Sequence, residues 1–436
     1  MKRSIFLTIL ALVFWTGLAL AQTEPSSQEV LTIDQCINIA LKNNYDIKAA
    51  EKNYDRAKYG LLGAWQGFLP KADVSLRGTR YDQTSISYPA GGLPYSSRSS
   101  YGLGLSFSQT IFDGWNNVAN YNYNKKGKFS AGENLKLTKQ TVVLGVKNSC
   151  YALLKAQMLL EVQTEAVKRS EEQLNMAKAK YDLGAASLSD YLKAKVQLAN
   201  DSLALITAKN SIKLAEADLN NVLGRNIDAP IQVDAKLEYK KFDPSAYPMT
   251  EETIENHPQI NITKSEVDQA HSGLTMARSE NSPKISLGMN YSWNDKKFPK
   301  SWADYQKPND PWYMGIQVSL NLFNGLSTIS NIWSAQANLQ VAKEKLKKDK
   351  REVKLEINKA LLAITEAEQK IRVTDNALES AKEDLNLTKE KYNLGAASML
   401  ELLDANYSYK TAESNQVQAL YDYNLAIAQL EKAVGK

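Results

Sequence analysis

The sequence predicts a mainly α-helical chain that also carries membrane-type β-strands, organised as one helix–strand-pair–helix unit written twice. Three observations predict it. The stretch KYDLGAAS beginning at Lys180 returns as KYNLGAAS beginning at Lys391, with seven of eight residues matching across 211 positions (391 − 180). From Leu326 to Leu394 there is neither glycine nor proline, and large apolar residues recur there every seven positions. Four segments of about ten residues alternate apolar with small or polar side chains.

The chain has 436 residues, enough for two or three ordinary domains or one elongated one. It opens on MKRSIFLTILALVFWTGLALAQ, which reads as a secretory signal peptide over residues 1–21. Lys2 and Arg3 form its charged start, Ile5 to Leu18 its apolar run and Ala19-Leu20-Ala21 its cleavage site before Gln22. Removing Lys2 and Arg3 takes the formal charge from +5 to +3, too little to suggest nucleic acid. No apolar run in the remainder is long enough for a spanning helix, which leaves a soluble exported protein or a β-barrel. The two cysteines, Cys36 and Cys150, make no disulfide framework for a chain of this size. They read as small apolar side chains, with a bridge left open by an oxidising compartment. His257 and His271 lie in no metal-ligand spacing, and there is no phosphate loop or nucleophile elbow. No catalytic residue, metal or cofactor is therefore expected, and an enzyme is the least supported class.

The landmarks of the two halves come in the same order. Phe68-Leu69-Pro70-Lys71 answers to Asn281-Ser282-Pro283-Lys284, and Phe112-Asp113-Gly114 to Phe323-Asn324-Gly325. These landmarks predict a first repeat over 22–224, an inter-repeat segment over 225–250, which the resemblance described below implies is equatorial, and a second repeat over 251–436. Strands are expected at about 72–84, 100–112, 284–294 and 311–323, with lengths that suit outer-membrane strands. Tyr81, Tyr101, Tyr291, Trp293, Trp312 and Tyr313 near their ends suit interfacial girdles, although an ordinary two-faced sheet has the same alternation.

The helices are more specific. A continuous helix over 326–394 would be about 100 Å long, deeper than any globular core. Ile357, Ile364, Ile371, Leu378, Leu385 and Tyr392 mark a coiled-coil seam, with Ala360, Ala367, Thr374, Ala381 and Thr388 between them. Val146, Leu153, Leu160, Val167, Leu174 and Tyr181 hold the same register in the first repeat. Each long helix is expected to end in a hairpin tip, at 183–187 and 394–398. Gly184 and Gly395 supply left-handed residues there, and Ser187 and Ser398 begin the return helices. Asp190 and Glu401 stand three residues on, as in a capping box.

Four strands cannot close a barrel in a bilayer, so membrane strands here require oligomerisation: eight strands from two copies, twelve from three. At this point the chain resembles the TolC-like outer membrane efflux proteins. The carriers are the duplication, the F-[DN]-G passage from strand to helix, and K-Y-x-L-G-A-A-S followed by Asp190-Tyr191-Leu192 or Glu401-Leu402-Leu403-Asp404-Ala405. The resemblance covers essentially the whole mature chain. It implies a homotrimer with a twelve-stranded barrel continuous with a twelve-helix periplasmic tunnel. It further implies residence in the outer membrane lipid of a Gram-negative cell, and a periplasmic adaptor and inner-membrane transporter as partners. Passive conduction gated at the helix tips is the implied function. Glu401 and Asp404 match the family's acidic entrance positions and lie three apart on one helix face, so three copies would carry six carboxylates. Asp190 and Lys193 fall at the corresponding positions of the first repeat, and Lys193 is a candidate partner for Asp404 of a neighbouring hairpin. Tyr392 and Tyr181 end the seams; packing explains both, and a Tyr392–Asp190 hydrogen bond in a closed state is the sharper reading. Ala396 and Ala397 stand where some relatives place an arginine. A soluble periplasmic coiled-coil adaptor or scaffold is the alternative, distinguished by having no need of the strands.

Overall fold

The computed structural model describes residues 29–87, 95–244, 247, 250–295, 297–298, 300–301, 304 and 312–435. The predicted signal peptide and the side chain of Tyr81 lie outside the described residues. Two compact units are present. The first combines residues up to Asn44 with Val142–Lys240 and Ile364–Ala428; the second combines Tyr45–Thr141, Lys241–Ala363 and the residues from Gln429. Two 67-residue helices, α3 (Asn116–Asp182) and α7 (Ser327–Asn393), each begin in the second unit and end in the first.

In the first unit, α1 (Ile33–Asn43) starts on a Thr32–Gln35 capping box and packs against α4 (Leu188–Leu223). Strands β1 (Glu29–Leu31) and β4 (Ile231–Val233) pair in parallel. Between α4 and β4 the chain turns at Gly224, whose φ is +68°. A side chain there would strike the Asn43 carbonyl, 2.8 Å from its first carbon. Asn220 secures the turn by donating to the carbonyls of Ile227 (3.1 Å) and Ala229 (2.7 Å). Asn44 ties α1 to α4 through the Val222 carbonyl at 2.8 Å.

The coiled-coil seam is met fully in one long helix and partly in the other. Ile364, Ile371, Leu385 and Tyr392 of α7 are buried in this unit, with Leu378 half-buried. In α3 Val146 and Leu153 are buried, but Leu160, Val167 and Leu174 are only half-buried and Tyr181 is exposed. The buried line moves to Val162, Ala166, Ser170, Gln173 and Ala177. Seven residues fall about 20° short of two full helical turns, so a heptad row precesses around a straight helix. Small and polar residues then face inward and the large seam residues are carried outward. The return helix α8 (Met399–Ala433) buries Met399, Leu402 and Ala405 beneath the second tip.

In the second unit, α2 (Tyr45–Ala64) precedes β2 (Lys71–Ser87) and β3 (Tyr95–Phe112). The short α5 (Glu251–Glu255) and α6 (Pro258–Ser279) precede β5 (Lys284–Asp295) and β6 (Trp312–Ser319). The strands form one antiparallel sheet in the order β2-β3-β5-β6. Its register sorts the side chains by face. Val74, Leu105, Tyr291 and Trp312 are directly aligned across the four strands, and so are Ala72, Phe107, Met289 and Met314. The other face aligns Asp73, Ser106, Asn290 and Tyr313. The apolar face is bare: Val74 is 70% exposed, Ile316 72% and Met314 63%.

Two strand expectations need correction. β6 ends at Ser319, and residues 320–323 leave the ladder because the chain is already turning toward α7. Trp293 is not a girdle residue, being buried with its indole N–H donating to the Asp304 carbonyl at 2.8 Å. Asp304 in turn accepts from the backbone of Lys300 and Ser301, so that turn folds over the indole.

The passages from β3 to α3 and from β6 to α7 share one device. Gly114-Trp115 and Gly325-Leu326 are consecutive left-handed pairs, with φ between +67° and +72°. The preceding Asp113 and Asn324 accept from the first helical amides, Asn117 N–H at 3.0 Å and Thr328 N–H at 3.3 Å. That explains the acid or amide in F-[DN]-G: its oxygen accepts from an amide of the first helical turn, which has no carbonyl a turn earlier within the helix.

Alanine at Gly184 or Gly395 would meet no atom within 4 Å, so it should cost only the left-handed φ, about 1 kcal/mol. Alanine at Gly114 adds a methyl 2.4 Å from the Ser282 Cβ. Urea denaturation should rank Gly114→Ala as at least twice as damaging as Gly184→Ala. A second prediction concerns His257, buried as the N-cap of α6 with Nδ1 accepting from Gln259. Burial holds its pKa below the ordinary 6.5, with Lys432 adding to the lowering and Glu356 and the Lys432 backbone opposing it. The unfolded chain therefore binds the proton more readily. Stability should fall as pH drops from 6.5 toward the lowered value. His257→Asn, which keeps a capping acceptor, should flatten that slope in pH-dependent melting curves.

Candidate functional site at the helical tips

Both tips are built by backbone geometry first. At the first, Gly184 N–H donates to Tyr181 and Ala185 N–H to Lys180; at the second, Gly395 N–H donates to Tyr392 and Ala396 N–H to Lys391. These are paired six-to-one and five-to-two bonds around a left-handed glycine at +72° and +77°. The return helices start on reciprocal caps. Asp190 accepts from the Ser187 hydroxyl at 2.8 Å and from its N–H at 3.4 Å, and its own N–H donates back to Oγ at 3.1 Å. Glu401 accepts from the Ser398 N–H at 2.7 Å, and its N–H donates to the Ser398 Oγ at 3.2 Å.

The charged candidates therefore divide in two. Asp190 and Glu401 are held by their caps, with Glu401 exposed and Asp190 half-buried. Asp404 and Lys193 are exposed, and among the described residues of a single chain no ion pair joins them to each other. Tyr181 stacks on Tyr191 at 6.1 Å with 14° between the rings.

Tyr392, at the end of the seam, is buried; its ring lies 4.0 Å beneath the Lys180 ammonium, and Lys180 also donates to its carbonyl. Among the described residues the phenol hydroxyl has no hydrogen-bond partner. Burial, with the nearby Asp190 charge, raises its pKa. The Tyr392–Asp190 hydrogen bond is thus not formed within the single chain. Lys180 is the tip residue that sequence reasoning missed. Its visible signal was only its place at the head of the repeated octapeptide, which says nothing of contacts with the other hairpin.

Farther from the tip, Lys410 of α8 pairs with the buried Asp201 of α4 at 2.8 Å, and Gln197 supports Asp201 at 2.9 Å. Arg169 of α3 pairs with Glu413 at 3.2 Å and lies 4.9 Å from the Tyr409 ring centre. These groups join three helices, and a single sequence offers no way to match them. In the second unit, an open polar recess of about 460 Å³ runs along the sheet base, lined by Lys71, Lys284, Ser286, Ser108 and Gln317. Among the described residues no cluster of metal-ligating side chains occurs, and no helix is long and apolar enough to cross a membrane.

A sheet with one bare apolar face, joined to helical hairpins with capped tips, defines a membrane β-protein with a helical extension. The outer membrane efflux protein family model matches residues 36–225 and again 249–436. The chain is 24% identical over 335 residues to the outer membrane protein TolC of Vibrio cholerae, covering 76% of each chain. It is 22% identical over 406 residues to the alkaline protease secretion protein AprF of Pseudomonas aeruginosa, covering 91% of this chain and 83% of that one. The fold superposes on the Campylobacter jejuni CmeC outer membrane channel with a TM-score of 0.84, at 20% identity, over 96% of this chain and 90% of that one. The chain belongs to the outer membrane efflux protein family, and is an outer membrane protein of a Gram-negative cell.

Tyr392→Phe tests the tip geometry. An unpartnered buried hydroxyl costs about 1–3 kcal/mol, so its removal should leave stability unchanged or raise it. A loss of stability on denaturation would instead place a partner on that hydroxyl.

Proposed function

We propose that three copies assemble into a twelve-stranded barrel continuous with a twelve-helix periplasmic tunnel. In this reading the tunnel passively conducts substrates handed over by an inner-membrane pump and a periplasmic adaptor. The observation that carries it is the bare apolar sheet face, whose end strands β2 and β6 each have, among the described residues, one edge without a partner strand. An edge in hydrocarbon leaves backbone groups unsatisfied at several kcal/mol each, so the strands need neighbours from other copies. The polar face, with Lys71 and Lys284 at its base, then lines the lumen. The helices support the same reading: Leu192, Val196, Leu203, Ile206 and Leu214 of α4 form an exposed apolar stripe that adjoining copies would cover. A soluble adaptor would have no use for such a sheet.

The tips form the gate in this proposal. Gly184, Ser187, Gly395 and Ser398 set the turns, and Asp404 with Glu401 faces the opening, with Asp190 and Lys193 at the matching positions. Asp404 is the strongest candidate, since capping already accounts for Glu401 and Asp190. Secretion and solvent or drug efflux both occur among the relatives' names, so the cargo is assigned to the pump rather than to this chain. Single-channel recording in a planar bilayer tests the reading. Wild type should show small, cation-selective openings that widen or lose selectivity in Asp404→Ala. Channels indifferent to the substitution would keep the conduit and move the gate; folded protein without conductance would overturn both.

A further inference from the structure

Between α3, α4 and α8 the first unit encloses a small polar cavity. Its wall includes Ser170 and Gln173 of α3, Gln197 and Asp201 of α4, and Asn406 and Lys410 of α8. Two amides in it are almost shut off from solvent, Gln173 at 5% exposure and Asn406 at 9%. Among the described residues the Gln173 Oε1, the Asn406 Oδ1 and the Asn406 Nδ2 have no hydrogen-bond partner. Buried polar atoms in that state are uncommon, and three of them border one cavity. The rest of the wall is held by bonds of its own. Asp201 accepts from Lys410 at 2.8 Å through one oxygen and from Gln197 at 2.9 Å through the other. Ser170 donates to the carbonyls of Ala166 at 2.9 Å and Val167 at 3.1 Å.

Size and chemistry together select what this wall can hold. The cavity measures about 10 Å³, the room of a single water molecule. A cation would suit the two amide oxygens but not Nδ2, and Lys410 and Arg169 already bring positive charge to the same wall. An anion would suit Nδ2 alone, and would meet the Gln173 oxygen and the Asp201 carboxylate. Water both donates and accepts, so it suits either orientation of the Asn406 amide.

We propose that Gln173 and Asn406 bind one buried water, which bridges α3 of the first hairpin to α8 of the second. The water donates one hydrogen to the Gln173 Oε1 and meets Asn406 through whichever amide atom is turned inward. The Asp201 carboxylate and the Ser170 hydroxyl oxygen are the acceptors in the wall for its remaining hydrogen. This link differs in kind from the ion pairs beside it. Lys410–Asp201 and Arg169–Glu413 are direct bonds, each favouring one alignment of the helices. A bridging water re-forms its bonds after a small shift, so the two hairpins can move against each other without leaving buried amides unsatisfied. The site lies within one chain and stands whether or not three copies form a channel.

The test uses crystals of the full-length protein, grown once with rubidium and once with bromide, at a resolution that shows ordered water. One peak of water height within hydrogen-bond distance of both amides is expected, the same in both crystals. An anomalous signal from either ion in the cavity would overturn the proposal, and so would a direct Gln173–Asn406 bond with no peak between them. A double-mutant cycle in thermal melting gives a second reading. With a shared water, Gln173→Leu and Asn406→Leu each leave the other amide without its partner and lower the melting midpoint. The double variant should then return toward wild type. Two amides that share nothing would give the opposite pattern, each single substitution raising the midpoint and the two effects adding, and that also overturns it. Should a single variant fail to fold, the wild-type maps decide alone.

Discussion

Backbone groups at a sheet edge have nowhere to go in hydrocarbon, and this constraint governs how the rest of the chain must be used. The β2-β3-β5-β6 sheet has its apolar residues aligned on one bare face, which suits lipid and not water. An open four-stranded sheet of that kind cannot sit in a bilayer alone. Under the proposed assembly, pairing of β2 with β6 of the next copy removes every edge. It also imposes a rotation that the helices, continuous with the strands through Gly114 and Gly325, must share. The exposed stripe on α4 is what such a rotation would need. Burial of leucine and valine side chains contributes about 1.5–3 kcal/mol each when complete, so a stripe of five is a substantial interface.

Helix packing within the chain is more polar than a coiled-coil seam suggests. Asp201, Gln173, Ser170 and Asn406 are buried beside the alanines of α3 and α8, and among the described residues both polar atoms of the Asn406 amide lack partners. Replacing such groups by apolar ones commonly stabilises a bundle, whereas removing one partner of a buried ion pair costs about 3–5 kcal/mol. Their physical effect is therefore on register. A seam of small residues alone permits neighbouring helices to slide, and the Lys410–Asp201 and Arg169–Glu413 pairs each favour one alignment. In the proposed gate, small helix rotations would require a defined rest position, and these pairs would supply it within one chain.

What could be read from the sequence follows from what is local. The tips were legible because a left-handed glycine and a serine–acid cap are set by residues within six positions of each other. The strands were legible because a period of two is imposed by the pleat. The long seam was legible in α7 and misleading in the second half of α3, where the same heptads precess off the packing face. Lys180 over Tyr392 and Trp293 beneath the Asp304 turn join residues 212 and 11 positions apart, and no single-sequence pattern encodes them. Tyr392 marks the limit well. The sequence placed it at the end of a seam, and it is buried there, but the contacts of its ring with Lys180 join two hairpins and no local pattern encodes them.

The two tips share a backbone and differ in the charges left over. Capping engages Asp190 and Glu401, and Lys180 is engaged by Tyr392, so the unengaged charges at matching positions are Lys193 and Asp404. They are opposite in sign. In a trimer they would alternate around the opening, and each Lys193–Asp404 approach between neighbouring hairpins would be a solvent-exposed pair contributing at most about 1 kcal/mol. Three such contacts hold a gate weakly, within reach of what a docking partner supplies through a modest interface. Separation of the pairs would at the same time uncover the carboxylates to the lumen, so that opening and cation preference arise from one movement of the same side chains.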